Sequence, residues 1–156
     1  MRVGSGFDAH RFDAASAPIV LGGVVVDPHR GVAATSDGDV LAHAIADAVF
    51  GAVADGDLGS HFPEAESQNA DSMALLAMAV DSAARLGFRP TSVDVTVIAE
   101  SVRIAPHRDE IRSGLASVMG LDVAMVSVKA TTTDGMGAIG ADEGIAAMAI
   151  VVVEAA

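Results

Sequence analysis

The stretch Gly4-Ser-Gly-Phe-Asp-Ala-His10, near the start of the chain, combines a strand-like pattern with two side chains that bind metals. Residues two positions apart in a β-strand lie on one face of the sheet. Asp8 and His10 therefore share a face if this segment is extended. Gly4 and Gly6 have no side chains, so another backbone or a ligand can approach the strand closely. The stretch predicts a strand that carries half of a divalent-metal site.

His43 is the best candidate for a third metal ligand. It follows Ser36-Asp-Gly-Asp39 on an alanine-rich segment typical of a helix, and it lies four residues from both Asp39 and Asp47. One carboxylate and two imidazoles leave a tetrahedral zinc ion one open position, as in catalytic sites. Either aspartate could accept the ring N–H of His43 that faces away from the metal. The alternative is that the Asp-x-His pair is solvated or capping and that both helical aspartates are ordinary surface acids.

The composition predicts one domain that binds metals through nitrogen and oxygen atoms. The chain has 156 residues, 51% of them hydrophobic, with five Phe and no Trp or Tyr. This is the length of one domain. It has no cysteine, which excludes disulfides and thiolate ligands. No secretory pattern opens the chain, and no apolar run approaches the roughly 20 residues of a membrane span, so we expect a soluble, cytoplasmic protein with no membrane partner.

The net charge of −12 restricts the partners further. Nucleic acids and acidic membranes require a positive patch, and the chain has a single lysine, Lys129, so we expect no nucleic-acid partner. An acidic protein also repels phosphates unless bound cations reverse the charge locally. A phosphate-handling protein of this composition is therefore expected to use metal ions.

The apolar pattern predicts strands and helices in mixed order. We expect strands at Arg2–Phe7, on both sides of a Gly22-Gly23 turn within Pro18–Val26, and at Ser92–Ile98, Val126–Thr133 and Gly144–Val153. We expect helices from a cap at Ser36 or Asp37 to about Ala54, at Asp71–Leu86 and at Pro106–Met119, with a long polar loop at 55–69. The fold class is α+β, a single domain with a mixed β-sheet and helices packed on one face. The last strand, almost wholly apolar, is expected to be an inner strand or a subunit contact.

Several motifs resemble, in the same order, those of the 2-C-methyl-D-erythritol 2,4-cyclodiphosphate synthase family. They are Gly6-Phe-Asp-Ala-His-Arg-Phe12, Ser36-Asp-Gly-Asp-Val-Leu-Ala-His43, Gly56-Asp-Leu-Gly59 with Phe62-Pro63, Lys129-Ala-Thr-Thr-Thr133, and the stretch from Gly140 to Gly144. Unrelated motifs in one order are more specific than any single one. The resemblance implies one domain over residues 1–156, assembled as a homotrimer with sites between neighbouring subunits.

The resemblance also implies a reaction. The family converts 4-diphosphocytidyl-2-C-methyl-D-erythritol 2-phosphate to 2-C-methyl-D-erythritol 2,4-cyclodiphosphate and CMP, in non-mevalonate isoprenoid biosynthesis. The 2-phosphate attacks the β-phosphorus, so the protein must hold two phosphates in line and neutralise their charge. By resemblance, Asp8, His10 and His43 bind zinc, Asp134 binds a second ion (Mg²⁺ or Mn²⁺), and Thr132 donates its hydroxyl towards the transition state. Read alone, the three threonines could be ordinary strand residues.

The substrate contacts carried over by resemblance fall in four places. They are the ribose residues Asp57, Leu58 and Gly59; the polyol residues Phe62, Pro63, Glu64, Ala65 and Glu66; the cytosine segment Ala99, Glu100, Ser101, Val102, Arg103, Ile104 and Ala105, which acts largely through its backbone; and Ser36, Thr131 and Thr133 near the phosphates.

Three positions depart from the family pattern. Thr35 stands where many relatives have a histidine that helps the transition state, and a threonine carries no positive charge. Ala138 and Ala141 stand where relatives commonly have a phenylalanine and an arginine, in a segment that lines a central cavity and contacts ligand. These changes leave the predicted zinc ligands intact. They put the rate, and binding of an anionic isoprenoid in that cavity, in question.

Two other classes of function remain open from the sequence. A metal-dependent phosphohydrolase would activate water on the same metal ligands and release free phosphate. A non-catalytic trimer that binds a nucleotide or an isoprenoid would show no turnover.

Overall fold

A five-stranded mixed sheet forms the centre of the structure, a computed structural model that describes residues 1–63 and 68–156. The strands are β1 (Arg2–Asp13), β2 (Ile19–Leu21), β3 (Val24–Asp27), β4 (Gly31–Val32), β5 (Phe88–Ile98), β6 (Val126–Thr131) and β7 (Gly144–Ala155). The sheet order is β4–β1–β7–β5–β6, and β2 pairs with β3 in a separate hairpin. β5 and β6 run parallel, whereas β7 is antiparallel to both β1 and β5. β7 is therefore an inner strand, one of its two predicted roles.

Helices cover one face of this sheet. They are α1 (Val40–Val53), α2 (Leu58–His61), α3 (Ser72–Arg85), α4 (Arg108–Met119) and α5 (Gly137–Gly140). α1 packs on β1 and β7, α3 packs beside α1, and α4 packs on β6. The core lies between the layers, where alternate residues of β7 are buried: Ile145, Ala147, Ala149, Val151 and Val153. The predicted single α+β domain is confirmed. Among the described residues, no helix is long and apolar enough to cross a membrane.

The two glycines of β1 let α1 lie directly on the strand. A Cβ atom on Gly4 would overlap the carbonyl oxygen of Ala48, and one on Gly6 would overlap the carbonyl oxygen of Ala44. Ala44 and Ala48 are one helical turn apart, so they present small side chains along the line that meets the strand. The close approach predicted for these glycines is made by a backbone of the protein itself.

Asp39 joins the start of α1 to the β2–β3 hairpin. Its Oδ1 accepts the N–H groups of Leu41 and Ala42 at 3.2 and 3.0 Å, and its Oδ2 accepts the N–H of Gly23 at 2.9 Å. The side chain is fully buried. Burial raises the pKa of Asp39 to about 6, although the hydrogen bonds from Ala42 and Gly23 act in the opposite direction. One carboxyl group therefore holds together two elements that are distant in sequence.

This arrangement corrects the predicted start of the helix. The cap is Asp39, not Ser36 or Asp37, and the first turn of α1 carries no acidic residue. His43 consequently lies in the first turn of α1 and not in its second. The φ angle of Gly38 is +72° and its backbone turns sharply, which delays helical geometry until after Asp39.

The remaining elements follow the predicted pattern with shifted ends. The Gly22-Gly23 hairpin is confirmed, with both φ angles positive. α3 begins after its cap at Asp71, and the chain turns at Gly87 beyond its end. α4 begins at Arg108, after a short 3₁₀ turn, and β6 ends at Thr131 and not at Thr133. The 55–69 segment, predicted as a loop, contains α2.

The sheet face opposite the helices carries an exposed apolar strip. Phe7 pairs with Met148 across β1 and β7, and Ile150 and Val3 continue the same face. These side chains are 59% (Phe7), 55% (Met148), 50% (Ile150) and 62% (Val3) exposed. On the same face, Nζ of Lys129 on β6 donates to Oδ2 of Asp94 on β5 at 2.6 Å. We call the four apolar residues the outer strip.

Replacing Gly6 tests the strand–helix contact. Gly6→Ala should lower the free energy of unfolding by about 1–3 kcal/mol, because the added methyl overlaps a helix backbone that cannot rotate away. Gly51 on α1 is the matched control, since an added Cβ there meets only the carbonyl oxygen of Ser5 at 3.8 Å. Gly51→Ala should be neutral or stabilising by about 0.5–1 kcal/mol. Equal losses for both variants in urea unfolding would show that the contact is not tight.

Candidate active site

Asp8, His10 and His43 converge as the sequence predicts. Asp8 and His10 project from the helix-facing side of β1, and His43 reaches them from α1. Oδ2 of Asp8 lies 3.0 Å from Nδ1 of His43 and 3.1 Å from Nε2 of His10. One ligand atom from each residue falls within 4.8 Å of the others, the spacing of a metal site. We call these three residues the triad.

The triad also has the polar character of a metal site. Nε2 of His10 is buried and has no aligned hydrogen-bond partner, although the Asp8 carboxylate is close. A buried nitrogen without a partner is costly, and coordination to a cation removes that cost. Two imidazoles and a carboxylate are ligands that zinc accepts. The residues present therefore fit the metal that the sequence predicts.

Asp8 and His43 each stabilise the charged form of the other. Burial favours the neutral form of Asp8, but hydrogen bonds and charge from His10 and His43 outweigh it, so the pKa of Asp8 falls well below 3.8. Burial likewise disfavours the charged form of His43, but the hydrogen bond and charge of Asp8 raise the pKa of His43 above 6.5. Without metal, an ion pair therefore occupies the place of the metal bonds.

The second ring nitrogen of His43 contacts hydroxyl groups, and neither Asp39 nor Asp47, the two acceptors that the sequence offers, receives it. Nε2 lies 2.8 Å from Oγ of Ser72 and 3.3 Å from Oγ of Ser36. Asp39 is occupied by backbone N–H groups, as described above. Asp47 accepts the N–H of Leu58 at 2.7 Å and so positions the start of α2. Neither aspartate is an ordinary surface acid. Ser72, which follows the α3 cap, has no spacing relation to His43 that the sequence could reveal.

A cavity of about 140 Å³ opens beside His43. It is lined by Thr35, Ser36, His43, Leu58, Gly59, Phe62 and Leu75. Asp57, which precedes Leu58 in the chain, caps α2 and accepts the N–H of Ser60 at 2.7 Å. The structure thus brings together the predicted residues from two motifs. Pro63 follows directly in the chain, whereas Glu64, Ala65 and Glu66 lie outside the described residues.

A second cavity, of about 170 Å³, lies at the ends of β5 and β6. It is lined by Ala99, Val102, Arg103, Ile104, Ala105, Arg108, Ala130, Thr131 and Thr132. These are the predicted cytosine segment and the threonine motif, together with Arg108, which the sequence did not single out. The triad is not part of this lining. Within one subunit, His43 and the predicted ribose residues Leu58 and Gly59 therefore line one cavity, and Thr132 and the predicted cytosine segment line another.

Glu100 shapes the turn that follows Thr132. Its Oε1 accepts the N–H groups of Thr133 and Gly135 at 2.9 and 3.2 Å. These backbone hydrogen bonds lower the pKa of Glu100. Asp134 lies in the same turn with a positive φ angle of 52°, and its N–H donates to Oγ1 of Thr132 at 3.2 Å. The turn thus presents Thr132 and Asp134 together.

Ala138 and Ala141, two of the three positions that depart from the family pattern, lie outside both of these cavity linings. Ala138 lines a cavity of about 190 Å³ together with Ala9, His10, Arg11, Ile139, Glu143 and Gly144. Ala141 ends α5, and the next residue, Asp142, accepts the hydroxyl of Ser101 at 2.6 Å and Nη1 of Arg30 at 3.1 Å. Ser101, at the cytosine segment, is therefore tied to the glycine-rich segment.

Comparison with known proteins identifies the family. The sequence profile described as the YgbB family matches residues 1–154. The chain belongs to the YgbB family. A 2-C-methyl-D-erythritol 2,4-cyclodiphosphate synthase from Salinibacter ruber is 46% identical over 158 aligned positions, covering 100% of both chains. One with the same name from Alkalilimnicola ehrlichii is 48% identical, over 98% of this chain and 94% of the relative.

Solved structures agree with this family. The bifunctional IspDF from Campylobacter jejuni matches with a TM-score of 0.96 and 38% identity over 99% of this chain, which spans 42% of that larger protein. A CDP complex of IspF from Plasmodium falciparum matches with a TM-score of 0.87 and 29% identity, over 99% of this chain and 96% of that one. The fold and the family predicted from the motifs are both confirmed.

The ion pair in the triad makes the stability of the metal-free protein depend on pH. Because the pKa of His43 is raised above 6.5, its contribution is fully present below that pH and is lost as the pH rises through the higher value. In urea unfolding with a chelator, metal-free protein should therefore lose stability above pH 6.5. His43→Gln should lose this dependence, and added zinc should reverse it, since zinc requires deprotonated ligands. The same slope in the variant would contradict the assignment.

Proposed function

We propose that the chain performs its family reaction with a zinc ion held by Asp8, His10 and His43. The reaction closes 4-diphosphocytidyl-2-C-methyl-D-erythritol 2-phosphate to 2-C-methyl-D-erythritol 2,4-cyclodiphosphate and releases CMP. The activity follows from family membership over the whole chain and from relatives of that name. One structural observation carries the metal: the convergence of the triad, in which one potential ligand atom from each residue lies within 4.8 Å of the others.

The protein must supply positive charge and hydrogen-bond donors to two phosphates. A bound zinc ion would polarise the β-phosphate and neutralise charge there. Hydroxyl groups of Thr35 and Ser36 face the same cavity and can donate to phosphate oxygens. Because the chain as a whole is strongly acidic, such local donors matter more than the overall field, which repels the substrate.

The nucleotide is proposed to bind at the second cavity. The solved relative carries CDP, and in this chain the cytosine segment and Thr131 and Thr132 line one pocket with Arg103 and Arg108. Thr132 would donate to the reacting phosphates. Asp134, exposed on the same turn, would bind the second ion, Mg²⁺ or Mn²⁺, through carboxylate oxygen, which both ions prefer. Thr133, bonded to Glu100, holds that turn in shape.

A homotrimer would join the two cavities. Within one subunit they have separate linings, yet the reaction needs the zinc and the nucleotide phosphates at one point. The outer strip supplies an apolar surface that a subunit contact would bury. We therefore propose that the threonine turn of one subunit meets the triad of its neighbour. The cavity at Ala138 would then lie near the subunit contacts, and whether an isoprenoid binds there stays a prediction, as does the cytoplasmic location.

The direct test is a product assay with zinc and magnesium. Purified protein should convert the cytidyl substrate to CMP and the cyclic diphosphate in equal amounts. His43→Ala should lose most of its zinc and its turnover, because a three-ligand site has little affinity with two ligands. His29→Ala, which changes a histidine in the exposed 27–30 turn, is the matched control and should retain both.

Other products would decide between the alternatives. Free phosphate in place of the cyclic product would indicate the phosphohydrolase, in which water attacks instead of the 2-phosphate. Tight CDP binding without turnover would indicate a binding protein. Full zinc occupancy in His43→Ala would show that the third ligand is assigned wrongly.

The assembly is tested by light scattering at micromolar protein concentration. We expect the mass of a trimer. Phe7→Asp places a charge in the centre of the outer strip and should shift the mass towards the monomer. Val25→Asp is the matched control, because Val25 is also exposed, at 47%, but lies on the separate β2–β3 hairpin. A monomeric unmodified protein would exclude any site shared between subunits.

A further inference from the structure

A chain of polar groups runs from the triad to the start of α3, where Ser72 is buried. Nε2 of His43 lies 2.8 Å from Oγ of Ser72, and Oγ of Ser72 in turn donates a short hydrogen bond to Oδ1 of Asp37. Ser72 is fully buried, and its backbone N–H also donates to Oδ2 of Asp37 at 3.1 Å. The loop before α1 and the first residue of α3 therefore meet behind the imidazole that faces Asp8.

We propose that Ser72, held by Asp37, is a positioning residue that fixes the tautomer of His43 and leaves Nδ1 free to bind the metal. This inference rests on the proposed metal site. Ser72 is neither a metal ligand nor a group that touches the substrate. Ser72 acts only through His43.

The direction of the hydrogen bonds follows from the donor and acceptor inventory. An ionised carboxylate only accepts, so the single hydroxyl proton of Ser72 goes to Asp37. The oxygen of Ser72 is then left with lone pairs, and its neighbour Nε2 of His43 must be the donor. In a neutral imidazole the other nitrogen is then unprotonated. That nitrogen, Nδ1, is the one 3.0 Å from Asp8, on the metal side.

Asp37 is itself held so that it cannot turn away. Besides Ser72, its Oδ1 accepts the backbone N–H of Asp39 at 3.2 Å. Its own N–H donates to the carbonyl of Ala70 at 3.1 Å, which ties its loop to the residues before α3. A hydrogen-bond partner of this kind fixes both the ring orientation and the tautomer of a metal-binding histidine.

Ser36 is the competing partner for Nε2, and the geometry favours Ser72. Oγ of Ser36 lies farther away, at 3.3 Å, and already accepts the N–H of Gly38 at 3.2 Å. Ser36 also lines the cavity beside His43, where substrate would engage its hydroxyl. A partner that must serve substrate cannot hold the imidazole throughout turnover, whereas Ser72 lies in the core.

The experiment measures zinc affinity by competition with a chromophoric chelator. Ser72→Ala should weaken zinc binding by about 10- to 100-fold, the usual effect of removing a partner of a metal ligand. Ser82→Ala is the matched control, because Ser82 lies on the same helix, is also buried, and donates to Asp55 at 2.8 Å without touching the triad. It removes an equivalent buried hydrogen bond and should leave zinc affinity unchanged. Ser72→Thr retains the hydroxyl and should recover most of the affinity.

Nuclear magnetic resonance of the imidazole nitrogens provides a readout that a merely structural role would not move. In zinc-loaded protein, His43 should show a proton on Nε2 that exchanges slowly with water, and Ser72→Ala should make that exchange fast. If Ser72→Ala does not fold, Asp37→Asn serves as the second variant. Its amide can donate to Ser72 and reverse the hydroxyl, with the same expected loss of zinc affinity.

Three results would overturn the proposal. They are zinc bound to Nε2 of His43, an unchanged zinc affinity in folded Ser72→Ala, and a loss of affinity in Ser36→Ala but not in Ser72→Ala. Failure of the proposed function is distinguishable from these results. If the unmodified protein bound zinc but formed no cyclic product, the affinities would still decide the role of Ser72. If it bound no zinc, protection of the Nε2 proton in metal-free protein at a pH above the pKa of His43, where the imidazole is neutral, would decide it.

Discussion

The contact between the backbones of β1 and α1 is the constraint on which the rest of the structure depends. Gly4 and Gly6 have no side chain to hold the helix away, so the carbonyls of Ala48 and Ala44 come down onto the strand. Asp8 is the next residue on the same face of the strand, and His43 directly precedes Ala44 on the helix. Any increase in the distance between strand and helix would move the imidazole of His43 away from the carboxylate of Asp8 and so disrupt the candidate metal site. The same contact therefore supports both the core and the chemistry.

Two aspartates in the short turn before α1 perform different tasks. Asp39 is buried, caps the helix and holds the β2–β3 hairpin through Gly23. Asp37 reaches the first residue of α3 and, through Ser72, the far side of His43. A carboxylate is costly to bury, so fully buried Asp39 is surrounded by donors, and partly buried Asp37 also accepts hydrogen bonds from Asp39 and Ser72. As a result the position of His43 depends on elements from three parts of the chain.

The two cavities underlie the proposal that neighbouring subunits share a site. His43, Thr35 and the turn at Leu58 and Gly59 line one cavity, whereas Thr131, Thr132 and the predicted cytosine segment line another at the ends of β5 and β6. A reaction between two phosphates of one substrate requires both sets of groups at one place. Burial of Phe7, Met148 and Ile150, three residues of the exposed outer strip, between subunits would stabilise the proposed trimer.

By itself, the sequence determined the features that depend on local periodicity and turn chemistry. The alternation of β1 placed Asp8 and His10 on one face, Gly22-Gly23 predicted the hairpin, and the order of the motifs identified the family. Tertiary structure alone decided which long-range partners these residues have. The cap is Asp39 and not Ser36 or Asp37, because the chain turns at Gly38 and helical geometry begins only after Asp39, whose buried carboxylate also accepts the N–H of Gly23, far away in sequence. The partner of His43 became Ser72 and not Asp39 or Asp47, since only the packing of α3 beside α1 brings that hydroxyl within reach. Sequence spacing predicts which residues are neighbours within a helix or a strand, whereas the packing of the core sets the contacts between elements.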